Sequence, residues 1–123
     1  MLDEFAACGF TSEEDIANLF ARNLFFGCEA DDPLTTTAFN TKVNAGGVRL
    51  QPMFGSDVAH WDVPDMTEVV EEAWELVEHE LITSDDFRDF AFANPVRFFT
   101  RLNPDFFAGT AVEASVRTFL GEA

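Results

Sequence analysis

The chain has 123 residues, the length of one ordinary domain, and 47% of them are hydrophobic, enough for a packed core and too many for a disordered chain. Its formal net charge is −16, because 23 acids face seven Lys and Arg residues, of which only Lys42 is lysine. A field of this sign repels phosphate backbones and anionic headgroups, so nucleic acid and membrane surfaces are not expected partners.

Cysteine use and the lack of long apolar runs predict a protein of the reducing cytoplasm. Cys8 and Cys28 are too few and too isolated for a disulfide framework or a zinc motif. Residues 1–10 are acidic and do not resemble a signal peptide, and no stretch approaches the ~20 apolar residues of a membrane span. The acids are spread along the chain, which indicates a solubilising, salt-tolerant surface.

The first predicted element is a helix that ends near Asn23. Thr11 and Glu14 have the spacing of a capping box, and the apolar residues that follow recur on one face. Residues 24–28 come next, a short continuous apolar run typical of a strand buried on both faces of a parallel sheet. Residues 33–45 are predicted to be irregular, with a short helix near residues 34–39.

A second strand is predicted before Asp57. Proline is tolerated at the first residue of a strand, so this strand is expected to begin at Pro52 or Met53 and to end near Ser56. An acid that follows a strand at the start of a polar loop is placed as catalytic acids of α/β folds often are.

The longest predicted helix covers residues 65–81. Asp65 and Glu68 have capping-box spacing, and apolar residues follow at positions i, i+3 and i+4. The glutamates on its other face are typical of a solvated surface.

Shorter helices are predicted from there to the C-terminus. Ser84 is expected to cap the next helix, which should break before Pro95, with Asn94 capping a further turn. A last helix is predicted around residues 112–120.

The predicted order of elements favours an α/β fold with parallel pairing and a large helical share. Two parallel strands make a poor sheet by themselves, because buried strands need neighbours on both edges. The chain therefore has the pattern of one part of a larger α/β domain.

Two stretches, FGSDVAHWDVPDM and DFRDFAFANPVRFFTRLNPDFF, together with the glutamate-rich helix between them, carry a family resemblance. From about Ser12 to about Thr110 the chain resembles the C-terminal end of amidohydrolase-related metal-dependent enzymes, including the aminocarboxymuconate-semialdehyde decarboxylase-like branch. The resemblance implies a C-terminal fragment of a (β/α)8 TIM-type barrel, a fold of ~250 residues. In it, residues 24–28 correspond to strand 7 and residues 53–56 to strand 8.

The implied organisation is a single partial amidohydrolase-type domain over residues 1–123. It consists of an N-terminal helix region at 1–23, strand 7, strand 8 and the C-terminal helices at 24–108, and a tail at 109–123.

The resemblance implies specific roles for the loop after the second strand. Asp57, at the end of strand 8, would be the catalytic acid/base and a ligand of a divalent metal, usually zinc, which lowers the pKa of a bound water toward ~7. His60 and Trp61 would lie beside the metal ligands or against a small-molecule substrate. Asp62, and Glu29 after strand 7, are further candidates for the same mouth. From the residues alone, Asp57 is better explained as a loop acid or a helix cap, whereas packing and functional roles are equally expected for His60 and Trp61.

Most of the family's metal ligands are not in this sequence. The His-x-His after strand 1 and the histidines after strands 5 and 6 are missing, and only His60 and His79 remain, the latter at a solvated helix position. Catalytic zinc usually needs three protein ligands and an open position for water. The chain alone is therefore expected to be inactive and to hold no metal tightly, and hydrolysis and decarboxylation stay open.

A second hypothesis makes the chain a non-catalytic acidic interaction module. The Phe-rich residues 87–107 would then dimerise or dock a partner, because large exposed apolar patches mark interaction sites. A third hypothesis has another chain supply the N-terminal strands, or the upstream gene encode them.

Overall fold

The computed structural model describes residue 4 and residues 7–121 and shows a small mixed α/β domain with a two-stranded parallel sheet. No helix in these residues is long and apolar enough to cross a membrane. Two short 3₁₀ helices and one π-helical turn add to the regular elements, at Pro33–Phe39, Ala45–Gly47 and Asp89–Ala93. The regular elements in chain order are α1 (Glu13–Asn23), β1 (Phe26–Glu29), β2 (Pro52–Gly55), α2 (Val69–Glu78), α3 (Ser84–Arg88), α4 (Asn94–Leu102) and α5 (Glu113–Leu120).

Helix α1 ends at Asn23 as predicted, but its capping box lies one residue later than expected. Ser12 is the N-cap and accepts a hydrogen bond from the Asp15 N–H, while the Asp15 carboxylate accepts from the N–H of Ser12. The same carboxylate also accepts from the N–H and the hydroxyl of Thr11. Asp15, and not Glu14, closes the capping box, because its carboxylate accepts hydrogen bonds from both Thr11 and Ser12.

The predicted parallel pairing of the two strands is confirmed. Phe26 lies opposite Pro52 and Glu29 opposite Gly55, so both strands end at the same edge of the sheet. The 3₁₀ helix at Pro33–Phe39 confirms the short helix predicted in the connection. The structure is not a complete barrel, and the derivation of this sheet from a barrel stays a prediction.

Helix α2 begins at Val69, four residues later than the predicted start at Asp65. The carboxylate of Asp65 accepts hydrogen bonds from the N–H and the hydroxyl of Thr67 instead of capping a helix. Such local side-chain bonds compete with the helical hydrogen-bond ladder. Residues 65–68 therefore form a turn in front of the helix.

The predicted break before Pro95 is wrong, because the chain stays helical from Ser84 to Leu102. Asn94 has helical dihedral angles, and the wider π-helical turn before it accommodates a proline that can donate no hydrogen bond. The N-cap of α3 is Thr83, where Ser84 was predicted, and the box is closed by Asp86. The last helix, α5, agrees with the prediction to within one residue.

The core lies between one face of the sheet and the helices that cover it. Its buried centre consists of Ala30, Val69, Ala73 and Phe90. Phe54 of β2 meets Phe90 edge to face at a centroid distance of 5.8 Å, and Trp74 meets Phe87 at 4.9 Å. Edge-to-face ring pairs of this kind contribute about 0.5–1.5 kcal/mol beyond area burial. The first pair holds the π-helical turn against β2, and the second holds α2 against α3.

Candidate functional site

The candidate site is the loop that leaves the carboxyl end of β2. The chain turns sharply there because Asp57 and Ala59 both adopt left-handed backbone conformations, with φ of 46° and 84°. Aspartate tolerates this conformation better than most residues, since its short polar side chain can bond locally. The N–H of His60 donates to the Asp57 carbonyl at 2.9 Å and closes the turn.

The turn brings the two predicted polar side chains together. Nδ1 of His60 lies 3.3 Å from the Oδ2 atom of Asp57. The Asp57 side chain is 37% exposed and that of His60 65%, so both groups remain open to solvent. An imidazole beside a carboxylate can direct one ring nitrogen toward it and leave the other to solvent.

In the described part of the chain, the other residues predicted for the site form no side-chain hydrogen bond with Asp57 or His60. Trp61 is 94% exposed, and Asp62 next to it is exposed as well. Glu29 ends β1 opposite Gly55, at the same edge of the sheet as Asp57. His79 is exposed and terminates α2, as expected for a solvated helix position.

The donor set at this loop does not fit a catalytic zinc ion. Asp57 and His60 supply one carboxylate and one imidazole, whereas such a site takes three protein ligands. Among the residues that the structure describes, no three His, Cys, Asp or Glu side chains are grouped so as to hold a metal. We therefore derive no reaction step through zinc from these residues.

Cys28 lies in β1, close to this edge of the sheet, and is partly buried. Burial raises the pKa of its thiol above the usual value, and the negative charge of Asp32 raises it further. The thiol donates to the carbonyl of Phe26 at 3.5 Å. Since the thiolate is the nucleophile and the metal ligand, a raised pKa argues against either role. Both Cys28 and Cys8 are free cysteines.

Among the described residues, four clefts of about 400–740 Å³ are lined by none of Asp57, His60 and Trp61. One lies between α1 and the Gly46 turn, one along the glutamate face of α2 and one beside Thr36 and Ile82. The fourth lies between α3 and α5, where Arg88 and Phe119 meet. The sequence does not predict this last cleft, because its two sides are separated by some thirty residues of chain.

Comparison with known protein families, with curated proteins and with solved structures gives no match for this chain. The amidohydrolase-like resemblance therefore stays a prediction, and the role of the loop depends on its own geometry.

Proposed function

We propose that this chain forms the last two strands and the following helices of an amidohydrolase-like metal-dependent hydrolase or decarboxylase. The observation that carries the proposal is the position of Asp57. It follows the carboxyl end of a strand that pairs in parallel with its neighbour, and its Oδ2 atom lies 3.3 Å from Nδ1 of His60. Catalytic groups of parallel α/β barrels lie at this end of the strands.

The form of the sheet supports a larger parent domain. Parallel sheets are usually covered on both faces and contain several strands. Within the described part of the chain, β1 and β2 pair only with each other, so the outer edge of each lacks a partner strand. Further strands from the same polypeptide or from a complementing chain would complete the sheet.

In this proposal Asp57 exchanges a proton with the attacking water or with the substrate. A carboxylate within reach of a reacting oxygen serves as a general base and then as an acid. His60 would orient that carboxylate through the contact between Nδ1 and Oδ2. The family's divalent metal and its histidine ligands would belong to the rest of the barrel. We place the enzyme in the cytoplasm, and its substrate is a small molecule.

Zinc titration followed by amide NMR tests the role of Asp57. We expect weak, saturable shifts confined to residues 55–62, since one carboxylate and one imidazole give only millimolar-scale affinity. The Asp57→Asn variant should lose these shifts, because the amide that replaces the carboxylate is a poor zinc ligand. Asp105→Asn, which removes an exposed acid from the turn before α5, is the matched control.

Zinc-induced shifts that persist in Asp57→Asn, or that never reach residues 55–62, would refute the proposal. The nucleotide sequence upstream of Met1 offers an independent test. The expected finding is an in-frame His-x-His that follows one strand pattern and precedes five more.

A second candidate function, a docking or dimerisation module, is favoured by apolar side chains on the surface. Trp61 is 94% exposed and Leu102 75%. Light scattering on the purified chain separates the two candidates. A dimer that dissociates when Trp61 and Leu102 are replaced by serine would favour the module, and a stable monomer would count against it. The remaining large exposed side chains include Leu34, Val43, Met66 and Val70.

A further inference from the structure

A cleft of about 740 Å³ on the helical side of the molecule combines aromatic rings with an arginine. It opens between α3 with its π-helical turn and α5. Phe92 and Phe119 form an edge-to-face pair at 5.6 Å and make its apolar floor. The full lining is Arg88, Phe92, Ala114, Ser115, Thr118 and Phe119.

The guanidinium of Arg88 lies over the ring of Phe119, 5.6 Å from the ring centroid. Stacking occupies the flat face of a guanidinium and leaves its five N–H donors, which lie in the plane, free for acceptors. Arg88 is exposed, and no carboxylate in the described residues lies within ion-pair distance of it.

Arg49 shows what such a stacked guanidinium does elsewhere in the same molecule. It lies 4.4 Å from the centroid of the Phe39 ring, and its N–H groups donate to the carboxylates of Asp86 and Asp89. Arg88 has the equivalent aromatic contact without the carboxylate. The place that a carboxylate takes beside Arg49 is therefore open beside Arg88.

Two further groups favour an anion in this cleft. Arg97 lies 5.3 Å from the centroid of the Phe119 ring, and its nearest carboxylate, Asp89, is 3.9 Å away. The hydroxyl of Ser115 lines the cleft and has no hydrogen-bond partner among the described residues. The net charge of −16 opposes anion binding, but distant charges are screened beyond about 8 Å at physiological ionic strength. Arg88, which lines the cleft and has no paired carboxylate among the described residues, is therefore the cation that an anion there meets first.

We propose that this cleft binds a small aromatic carboxylate. The carboxylate group accepts hydrogen bonds from the guanidinium of Arg88 and from the hydroxyl of Ser115, and the aromatic ring packs on Phe92 and Phe119. Bidentate pairing with a carboxylate is the interaction for which the planar arginine fork is best suited. The site involves neither Asp57 nor His60, so it stands or falls independently of the proposed barrel enzyme.

Amide NMR titration with benzoate tests the site on the full chain. Benzoate should give saturable shifts at residues 114–119 and at the Arg88 side chain, with affinity at least tenfold above that for benzamide, its neutral counterpart. Acetate should bind at least fivefold more weakly than benzoate, because it lacks the ring. Arg88→Gln should weaken benzoate at least tenfold, and Ser115→Ala should weaken it by a smaller factor.

Arg22→Gln is the matched control, since it removes the same charge from the exposed end of α1. A loss of affinity equal to that of Arg88→Gln would mean that net charge alone is responsible and would overturn the proposal. The proposal would also be overturned if Arg88→Gln still bound benzoate with unchanged affinity, or if the chain bound benzoate no more tightly than benzamide or acetate. A titration without saturable shifts would overturn it as well. Circular dichroism of each variant checks that the helices remain folded, and Ser115→Ala keeps the test decisive if Arg88→Gln unfolds.

Discussion

The side chain of Asn94 is buried, and its Nδ2 atom donates to the carbonyl oxygen of Pro52 at 2.9 Å. Its Oδ1 atom accepts from Arg97 at 3.0 Å. Both ends of the amide are thus satisfied, and the helix that contains Asn94 is tied to the first residue of β2. Asn before Pro predicts a helix cap from the sequence, because nothing local reveals that a strand forty residues earlier needs this donor.

Replacing Asn94 should therefore destabilise the fold. Asn94→Ala leaves a buried carbonyl without a donor, which costs about 1–3 kcal/mol. Asn94→Asp is nearly isosteric but places a carboxylate oxygen against the carbonyl oxygen, so it should cost at least as much. Urea unfolding measures both. Asn23→Ala, at the exposed end of α1, serves as the control and should change stability by no more than about 0.5 kcal/mol; an equal loss in all three variants would contradict this role.

The contact between Asp57 and His60 is another that the local sequence does not reveal. The acid after a strand can be predicted from the order of apolar and polar residues. The contact between the two side chains cannot, because it also needs a left-handed conformation at Ala59, which alanine rarely adopts. The sequence therefore predicts which residues lie at the site, and only the structure shows that they touch.

At the scale of elements, helix starts differ most between the predicted and the observed fold. The order of the strands and their parallel pairing follow from short apolar runs, although β1 begins at Phe26 and not at residue 24. Each helix start depends instead on which of several nearby acids accepts the backbone N–H groups. Asp15 takes this role from Glu14 in α1, and Asp65 turns back on Thr67 before α2. The sequence spacing of a capping box does not show which of several nearby acids caps the helix.

Asp86, which closes the capping box of α3, also pairs with Arg49 in the segment before β2. Partial burial by itself would raise the pKa of Asp86, but hydrogen bonds from Thr83 and the guanidinium of Arg49 outweigh it and hold the pKa below its usual range. A carboxyl group whose pKa is lowered by folding stabilises the fold above its unfolded pKa of ~3.9. This stabilisation is lost as the pH falls through the pKa that Asp86 has in the folded state.

Asp86→Asn should therefore lower the stability at pH 6, by about 1 kcal/mol for a partly exposed site. The difference from the unmodified chain should shrink as the pH falls toward 3 and below. Urea midpoints at several pH values measure it. Asp85→Asn removes a neighbouring exposed acid that does not pair with Arg49, and it should give a difference that changes little with pH. A difference for Asp86→Asn that stays constant down to pH 2 would contradict the assignment.

At the scale of the whole molecule, the large excess of acidic residues opposes folding. The net charge of −16 is confined to a 123-residue domain, and this self-repulsion disfavours the compact state. Salt shortens the Debye length from about 10 Å at 0.1 M to about 3 Å at 1 M and weakens the repulsion.

The melting temperature should accordingly rise with salt, by roughly 5 °C or more between 0.05 and 1 M KCl. Calorimetry or circular dichroism measures the rise. The control is the same comparison near pH 4.1, the isoelectric point, where the net charge vanishes and most of the effect should disappear. An equal rise at both pH values would assign the effect to salting-out of apolar surface and not to charge.

The bond between Asn94 and Pro52 also determines how the sheet can grow. The Gln51 carbonyl accepts from Phe26 and faces β1, so alternation along the strand turns the Pro52 carbonyl toward the outer edge. Proline offers no N–H there, and Asn94 already occupies its carbonyl. A strand that adds to this edge, from another copy or another polypeptide, finds its first open donor and acceptor at Phe54. The outer edge of β2 is thereby shortened as a template for another strand, which lowers its tendency toward edge-to-edge aggregation.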